Sequence, residues 1–328
     1  MKRHGVIVSP AGELGATFNP AVARTPPDGY IMLVRSIPKG YHKLGSVNEF
    51  DDRYTSHLSL WRGSAPDVFI LENEHALMPS APFDRFGVED PRITKVGDTY
   101  YILYTALAIG LGQPDADRGI RIAMASTKDF KTFKKHGVIG PDRRSKAGTL
   151  FEAAGRLYFM WKDEQGVERT MLTPAPADFE NAAAWQKLWK HQKSYRELMG
   201  PQKNAHESLG VEPGAPPIEI EEGLLVVYSS ISADHKWTIS VMLLDKNDPY
   251  NVLAKTAAPL LSPQEPYECK GDVNNVVFPC GAIVDQGRLY IYYGAADTVC
   301  ALASEDMRTI RAVLKPLLKK PPGPVGAP

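Results

Sequence analysis

Apolar positions along the chain fall in short runs punctuated by Gly, Pro and charge, and the pattern repeats. Five segments share one plan: "FNPAVARTPPDGYIMLVRS", "EDPRITKVGDTYYILYTAL", "TLFEAAGRLYFMWKD", "GAPPIEIEEGLLVVYSSI" and "VFPCGAIVDQGRLYIYYGAAD". In each, a Pro or acidic residue precedes a few apolar residues, a Gly-centred turn and an aromatic-rich run. The turn glycines, Gly29, Gly97, Gly155, Gly223 and Gly287, recur at intervals of roughly 60 to 70 residues, and each reads as the tip of a hairpin. Runs such as "YYILYTA" and "LYIYYGA" are rich in Tyr, Ile and Val and too short for typical helices, which predicts strands buried on both faces. Antiparallel sheets that each need a neighbour to cover them solve that problem by closing a ring. Five units therefore predict an all-β fold, a five-bladed β-propeller.

One stretch reads differently. "PADFENAAAWQKLWKHQKSYRELM" places Trp185, Leu188, Trp189 and Leu198 among polar residues, which predicts a helical insertion between the third and fourth blades, its tryptophans packed on the blade beneath. Residues 1–315 are expected to form the single propeller domain, with 316–328 as a proline-rich tail.

Composition narrows the partners. With 43% hydrophobic residues in 328, the chain has material for a large core. Its 38 basic and 38 acidic residues balance, which argues against a nucleic-acid partner, since phosphate neutralisation needs a basic excess. No run approaches the roughly 18 to 20 apolar residues of a membrane span, and the apolar run of "MKRHGVIVSPAG" is short for a secretory leader, so a cytoplasmic location is expected. Cys269, Cys280 and Cys300 lack CxxC spacing and read as reduced thiols, with no metal and no cofactor expected.

In a propeller the ends of the innermost strands converge on one funnel. "FGVEDPRI" puts Glu89 and Asp90 before Pro91 and Arg92 at the entrance to such a strand. Alone, an acidic pair there reads as a turn with a surface ion pair. The equivalent turns, however, would bring Asn19, Glu89, Asp90, Glu212 and Asp297 together. Like charges at short range push at least one carboxyl pKa upward. A protonated carboxyl beside an ionised one suits glycosidic bond cleavage.

Four motifs add a resemblance. "GVEDPRI…YYILYTA", "GAPPIEIEEGLLVVYSS", "LLDKNDPYNVLAKTAAPLLSPQEPYE" and "GDVNNVVFPCGAIVDQGRLYIYYGAADT", within a similarity running from about Asn19 to Ala303, resemble glycoside hydrolase family 130, five-bladed propellers that act on β-mannosides. The resemblance implies that Asp90 is the general acid, that Arg35 and Asp297 hold the terminal mannosyl unit of a β-mannoside oligosaccharide, and that cleavage inverts. In several members the acid's proton travels through a sugar hydroxyl. Glu89 and Arg92, with Asn19, are then expected to hold the acid or the sugar in place.

The family contains both hydrolases and phosphorylases, so the attacking group must be read separately. Phosphorylases usually carry an Arg in the third-unit strand and a His in the fourth; here "LYFMWKD" and "VVYSSI" supply Lys162 and Ser229. A lysine binds phosphate only as a point charge, and a serine adds no charge. Hydrolysis is therefore the expectation, with Glu212 as preferred base and Glu268 of "PYECKG" as the second candidate, ahead of Glu207. The alternative is a phosphorylase that takes inorganic phosphate as co-substrate and releases mannose 1-phosphate, with Arg143, Lys146 and Lys162, helped by Arg144, as the anion site. A carbohydrate-binding propeller without catalysis is a minor alternative. His206 and His235 belong to no recurring turn and are expected at the surface or behind the site.

Overall fold

The computed structural model describes residues 1–27, 29–45, 50–51, 53–191, 195–203 and 206–318, so residues 319–328 of the expected tail lie outside the described residues. Five antiparallel sheets form the blades. Blade 5 contains the N-terminal strand β1 (Lys2–Val8). Blade 1 follows with β2 (Leu14–Thr25), β3 (Gly29–Pro38), β4 (His57–Ala65) and β5 (Val68–Leu77). Blade 2 holds β6 (Gly87–Val96), β7 (Thr99–Leu107), β8 (Ile120–Thr127) and β9 (Lys134–Val138). Blade 3 holds β10 (Ser145–Ala153), β11 (Arg156–Asp163), β12 (Arg169–Pro174) and β13 (Arg196–Met199). Blade 4 is built from β14 (Gly210–Pro213), β15 (Ile218–Ile220), β16 (Gly223–Ile231), β17 (Trp237–Leu244) and β18 (Val252–Lys255). The other strands of blade 5 are β19 (Val277–Asp285), β20 (Arg288–Ala295) and β21 (Val299–Asp306). Each of the five turn glycines sits in the first hairpin of its blade, as the repeat predicts.

The ring is latched by the N-terminus. β1 pairs with β21 from Lys2↔Ser304 to Val8↔Cys300, so the first strand completes the last blade. The core lies between blades: Leu33 and Leu58 meet Ile102 and Ala123 at one junction, and Leu103 and Met124 meet Phe159 and Trp161 at the next. This is why the second strand of each hairpin, such as Tyr100–Leu107, is apolar on both faces. Burying each such side chain contributes about 1.5–3 kcal/mol.

The helical insertion is shorter than expected and sits elsewhere. Helix α1 covers only Ala182–Trp189, capped by the Asn181 side chain, which accepts from Ala183 N. Arg196–Met199, read as helix from its sequence, is β13, the outer strand of blade 3, and residues 192–194 lie outside the described residues. The insertion thus falls within blade 3, because edge pairing with β12 overrides the helical pattern. Its tryptophans do pack on the blade: Trp185 lies 5.0 Å from the Phe159 ring and Trp189 5.2 Å from Trp161. Two further helices follow, α2 (Pro266–Cys269) and α3 (Met307–Leu314).

The innermost strands break at one level. Pairing slips between Phe18 and Pro20, between Glu89 and Arg92, between Lys146 and Thr149, and between Pro279 and Gly281; in blade 4 the strand is interrupted between Pro213 and Ile218. Proline cannot donate to a ladder and settles at such bulges, which re-aim neighbouring side chains. In four of the five blades a Pro therefore marks the break, at Pro20, Pro91, Pro213 and Pro279, while blade 3 breaks at Lys146 to Thr149 without one.

Candidate active site

Asn19 and Asp90 stand at two of these bulges with φ of 52° and 50°, and Asp297, just beyond β20, has φ of 55°. Asn and Asp tolerate this left-handed conformation better than most residues. The three side chains line one cavity of about 150 Å³, together with Arg35, Lys146, Lys162 and Glu212. Residues from all five blades thus converge, although the sequence spreads them from Asn19 to Asp297.

One wall is organised by Arg35. Its Nη1 donates to Asp90 Oδ1 at 3.0 Å, and Nη2 lies 2.8 Å from Glu89 Oε1. Asn19 Nδ2 donates to the same Asp90 oxygen at 2.7 Å, while Asn19 Oδ1 is buried and has no partner among the described residues. Glu89 in turn accepts from Tyr54 OH at 2.5 Å and Ser56 Oγ at 2.8 Å, and Arg35 also donates to the Tyr54 hydroxyl. Glu89 therefore serves the cavity through Arg35 rather than by facing it. Tyr54 and Ser56 lie in a connection without a recurring motif, so the sequence carries no signal for them.

The opposite wall is a nest of charges from blades 2–4. Lys162 Nζ lies 2.9 Å from Glu164, 2.8 Å from Glu168 and 3.6 Å from Glu212. Arg144 is ion-paired with Glu164 and Asp117. Lys146 lines the cavity and has no ion pair among the described residues. No repeat motif marks Glu164 or Glu168; the signal that finds them is the need of a buried Lys162 for counter-ions, which "KDEQGVE" supplies. Ser229 lies opposite Glu212 in the β14–β16 ladder, its buried hydroxyl without a partner among the described residues.

Four residues that the sequence marks as candidates take other roles in the fold. Arg92 is buried and donates to Asp90 O at 2.8 Å, Pro213 O at 3.0 Å and Gly214 O at 3.0 Å. It fastens the Asp90 backbone to blade 4 beneath the cavity, and its donors are consumed there. Glu268 is not in the cavity: its carboxylate accepts from Arg3 Nε at 2.9 Å, Tyr293 OH at 2.8 Å and Gln264 N at 2.8 Å, tying β1 to the loop before β19. Arg143 also points elsewhere, pairing with Asp163 at 2.6 Å and resting on the Tyr195 ring, so Arg144 takes its place at the wall. Glu207 is buried against Lys255 at 2.6 Å and Tyr228 OH at 2.6 Å, which leaves it no role as base.

Charge sorts the carboxyls that line the cavity. Burial favours the neutral form of Asp90, but Arg35, Arg92, the Asn19 hydrogen bond and Lys146 outweigh it and hold its pKa below the usual value. Asp297 goes the other way: burial, reinforced by Asp90 and Asp272, raises it to about 7 against the pull of Arg35 and Lys43. Burial likewise raises Glu212, with Glu168 and Glu164 adding to it and Lys162 opposing. Near neutral pH the protein's own charges thus keep Asp90 ionised while Asp297 shares in a proton, a split of the kind acid–base sites use.

Comparisons with known proteins point the same way. A family model described as beta-1,4-mannooligosaccharide phosphorylase matches residues 12–316. The beta-1,2-mannobiose phosphorylase of Listeria innocua is 30% identical over 257 residues, which cover 77% of this chain and 66% of that protein. This chain thus spans about two thirds of that relative's length. The solved structure of the Listeria innocua beta-1,2-mannobiose phosphorylase with beta-1,2-mannobiose superposes with a TM-score of 0.78 at 24% identity, covering 94% of this chain and 97% of that one. A second structure comes from work showing that the family of mannoside phosphorylases contains glycoside hydrolases that target beta-1,2 mannosidic linkages in Candida mannan; it superposes at 0.73 with 20% identity, covering 98% and 97%. At these identities the superpositions speak for the fold, while the family model covers nearly the whole propeller: the chain belongs to glycoside hydrolase family 130.

Proposed function

We propose that the protein is a β-mannoside phosphorylase that cleaves the terminal mannosyl unit of an oligosaccharide with inversion. The observation that carries the choice of nucleophile is Lys146, an ammonium at the cavity wall with no ion pair among the described residues, set with Arg144 and Lys162. The Listeria innocua relative and the family model, both described as phosphorylases, support the same choice. It reverses the expectation of hydrolysis, which rested on Lys162 and Ser229 in place of the usual Arg and His and on Glu212 as candidate base.

In this reading Asn19, Arg35 and Asp297 hold the mannosyl ring. A phosphate oxygen attacks C1 from the Lys146 side, the bond from C1 to the leaving oxygen breaks, and that oxygen takes a proton originating at Asp90, directly or through a sugar hydroxyl. Mannose 1-phosphate and the shortened sugar leave. The lowered pKa of Asp90 reflects the protein's own charges alone; a phosphate dianion beside Lys146 cancels part of the cationic pull and raises it again. The same dianion pushes Glu212, whose pKa burial already raises, further toward the neutral form, which can donate a hydrogen bond to phosphate instead of repelling it.

Hydrolysis is the second reading, favoured by the enclosure of Lys162 among three carboxylates, with Glu212 as base for water. Either reading requires Asp90. Wild-type protein supplied with phosphate is expected to cleave β-1,2- or β-1,4-mannobiose, and Asp90→Asn to lower that rate by on the order of 100-fold or more. Binding of both disaccharides without cleavage of either would leave only a carbohydrate-binding propeller.

A further inference from the structure

Glycine weakens the middle of a strand, and in a buried strand it marks a place where another main chain comes close. Blade 5 holds two such residues where it meets blade 1. Gly294 lies inside β20, opposite Phe278 on one side and Cys300 on the other, and Gly281 stands at the break in β19. Neither takes the positive φ that by itself would call for glycine. What rules out a side chain at both positions is β2. A Cβ on Gly294 would collide with Asn19 Oδ1 and stand 2.7 Å from Asn19 N; one on Gly281 would stand 2.8 Å from Val22 N and 2.9 Å from Pro20 O. No real Cβ sits that close to main-chain atoms, so a side chain at either position forces β2 to move.

The two bare positions flank one feature, the Asn19–Pro20 bulge in the inner strand of blade 1. Asn19 is held between blade 5 and blade 2. Its Oδ1 rests over Gly294, buried and without a partner among the described residues, and its Nδ2 donates to Asp90 Oδ1 at 2.7 Å. With Oδ1 toward Gly294, Nδ2 is the end left for the acid; an amide turned the other way would set two oxygens against each other. The same junction carries the Asp297 turn, since Thr17 N of β2 donates to Thr298 O at 3.1 Å.

We propose that Gly294 and Gly281 are positioning residues for mannoside cleavage: they leave on blade 5 a seat without side chains, into which the β2 bulge settles so that Asn19 meets Asp90. This rests on the reading of Asp90 as general acid above, and it holds for phosphate and water alike as attacking group. Filling the seat pushes Asn19 off the carboxylate. Against burial, Arg35, Arg92 and the Asn19 hydrogen bond hold Asp90 toward its ionised form, so loss of Asn19 lets the acid keep its proton to higher pH. The other charged or titratable groups around Asp90 are unaltered by such a change: Arg35 of β3, Arg92 of β6, Lys146 of β10, Glu212 of β14, Cys280 of β19 and Asp297 beyond β20.

Gly294→Ala and Gly281→Ala test the seat, with Gly63→Ala as control: a Cβ there would stand 2.7 Å from the Phe69 ring, comparable crowding between β4 and β5, away from the cavity. Asp90 is titrated by carboxyl ¹³C NMR, its signal assigned by its loss in Asp90→Asn. Turnover is followed, with phosphate supplied, on β-mannobiose and on 4-nitrophenyl β-mannoside, whose leaving group departs without a proton. In both seat variants Asp90 is expected to titrate at higher pH than in the wild type. Turnover of mannobiose should fall by on the order of 10- to 100-fold, the scale of a misplaced acid, while the nitrophenyl sugar loses less than about threefold. Gly63→Ala should lower Tm and change neither readout. Gly281→Ala, whose Cβ meets β2 less closely, carries the test if Gly294→Ala does not fold. A wild-type Asp90 titration, or equal losses on the two sugars, in a folded seat variant would overturn the proposal. A raised Asp90 titration in the seat variants, with no mannoside cleaved by the wild-type protein, would keep the seat and sink the catalytic reading.

Discussion

Asn19 on blade 1 donates its amide to Asp90 Oδ1 on blade 2 at 2.7 Å, across 71 positions of sequence. Both residues stand at bulges, so the bond fixes two strained turns against one another and orients the acid. Asn19→Asp keeps the shape and the tolerance for positive φ but replaces a donor with a like charge. Cleavage is expected to fall by on the order of 100-fold, and the alkaline limb of the pH–rate profile, where the acid loses its proton, to move upward, because one of the influences lowering the Asp90 pKa is lost. An unchanged pH profile with near-normal kcat would show that the bond does not tune Asp90.

Tyr54 acts at one remove, between Arg35 and Glu89. Tyr54→Phe leaves the Arg35–Glu89 ion pair in place but removes two buried hydrogen bonds, the one accepted from Arg35 and the one donated to Glu89, each about 1–3 kcal/mol where its partner is left unsatisfied. Positioning of the mannosyl ring should suffer more than the chemistry, so steady-state kinetics should show KM for the sugar rising about tenfold with a smaller change in kcat. A loss confined to kcat would place Tyr54 closer to the reacting atoms than the geometry indicates.

The repeat was legible because each blade carries the turn glycine and four of the five also carry a Pro at the inner-strand break, blade 3 with Lys146 to Thr149 being the exception. Those same marks located Asn19, Asp90 and Glu212. The latch was not legible: "KRHGVIV" alternates weakly, and its partner β21 lies about 300 positions away. That distance also hid the meaning of Glu268, whose partner Arg3 sits on β1. Arg92 misled for a related reason. A charged residue beside an acid reads as its counter-ion, whereas here the main-chain carbonyls exposed by two broken inner strands claim the guanidinium. The end of α1 was lost to tertiary pairing, since Arg196–Met199 becomes a strand only by adding to the edge of β12.

Asp297 gives the fold a pH dependence. Its pKa is about 7 in the folded protein against an ordinary value of 3.8, so between about pH 4 and 7 the folded state holds a proton that the unfolded chain has released. Stability due to this group is present at low pH and declines as pH rises through that window, then stays level above about 7. Thermal unfolding should show the Asp297→Asn variant losing less Tm than wild type between about pH 5 and 8. An equal loss in both proteins would mean that Asp297 is ionised throughout.

Glu268 supplies the complementary control, a residue for stability and not for chemistry. It is fully buried, while Arg3 keeps 19% side-chain exposure, so breaking the pair should cost less than the roughly 3–5 kcal/mol of a fully buried one. Glu268→Gln is expected to lower the urea-unfolding free energy by about 2 kcal/mol and to leave kcat/KM within about twofold of wild type. Loss of turnover in a folded variant would return Glu268 to the site.

Phosphate as the attacking group is the central claim, and product identity tests it most directly. The wild-type protein is incubated with β-mannobiose in ¹⁸O-labelled water, with and without inorganic phosphate, and followed by ³¹P NMR and mass spectrometry. Phosphate-dependent formation of unlabelled α-mannose 1-phosphate is expected, with the Lys146→Gln variant needing at least about tenfold more phosphate, as befits the loss of one charge-assisted contact. Release of ¹⁸O-labelled mannose at the same rate with or without phosphate would contradict the claim and make Glu212 the base of a hydrolase.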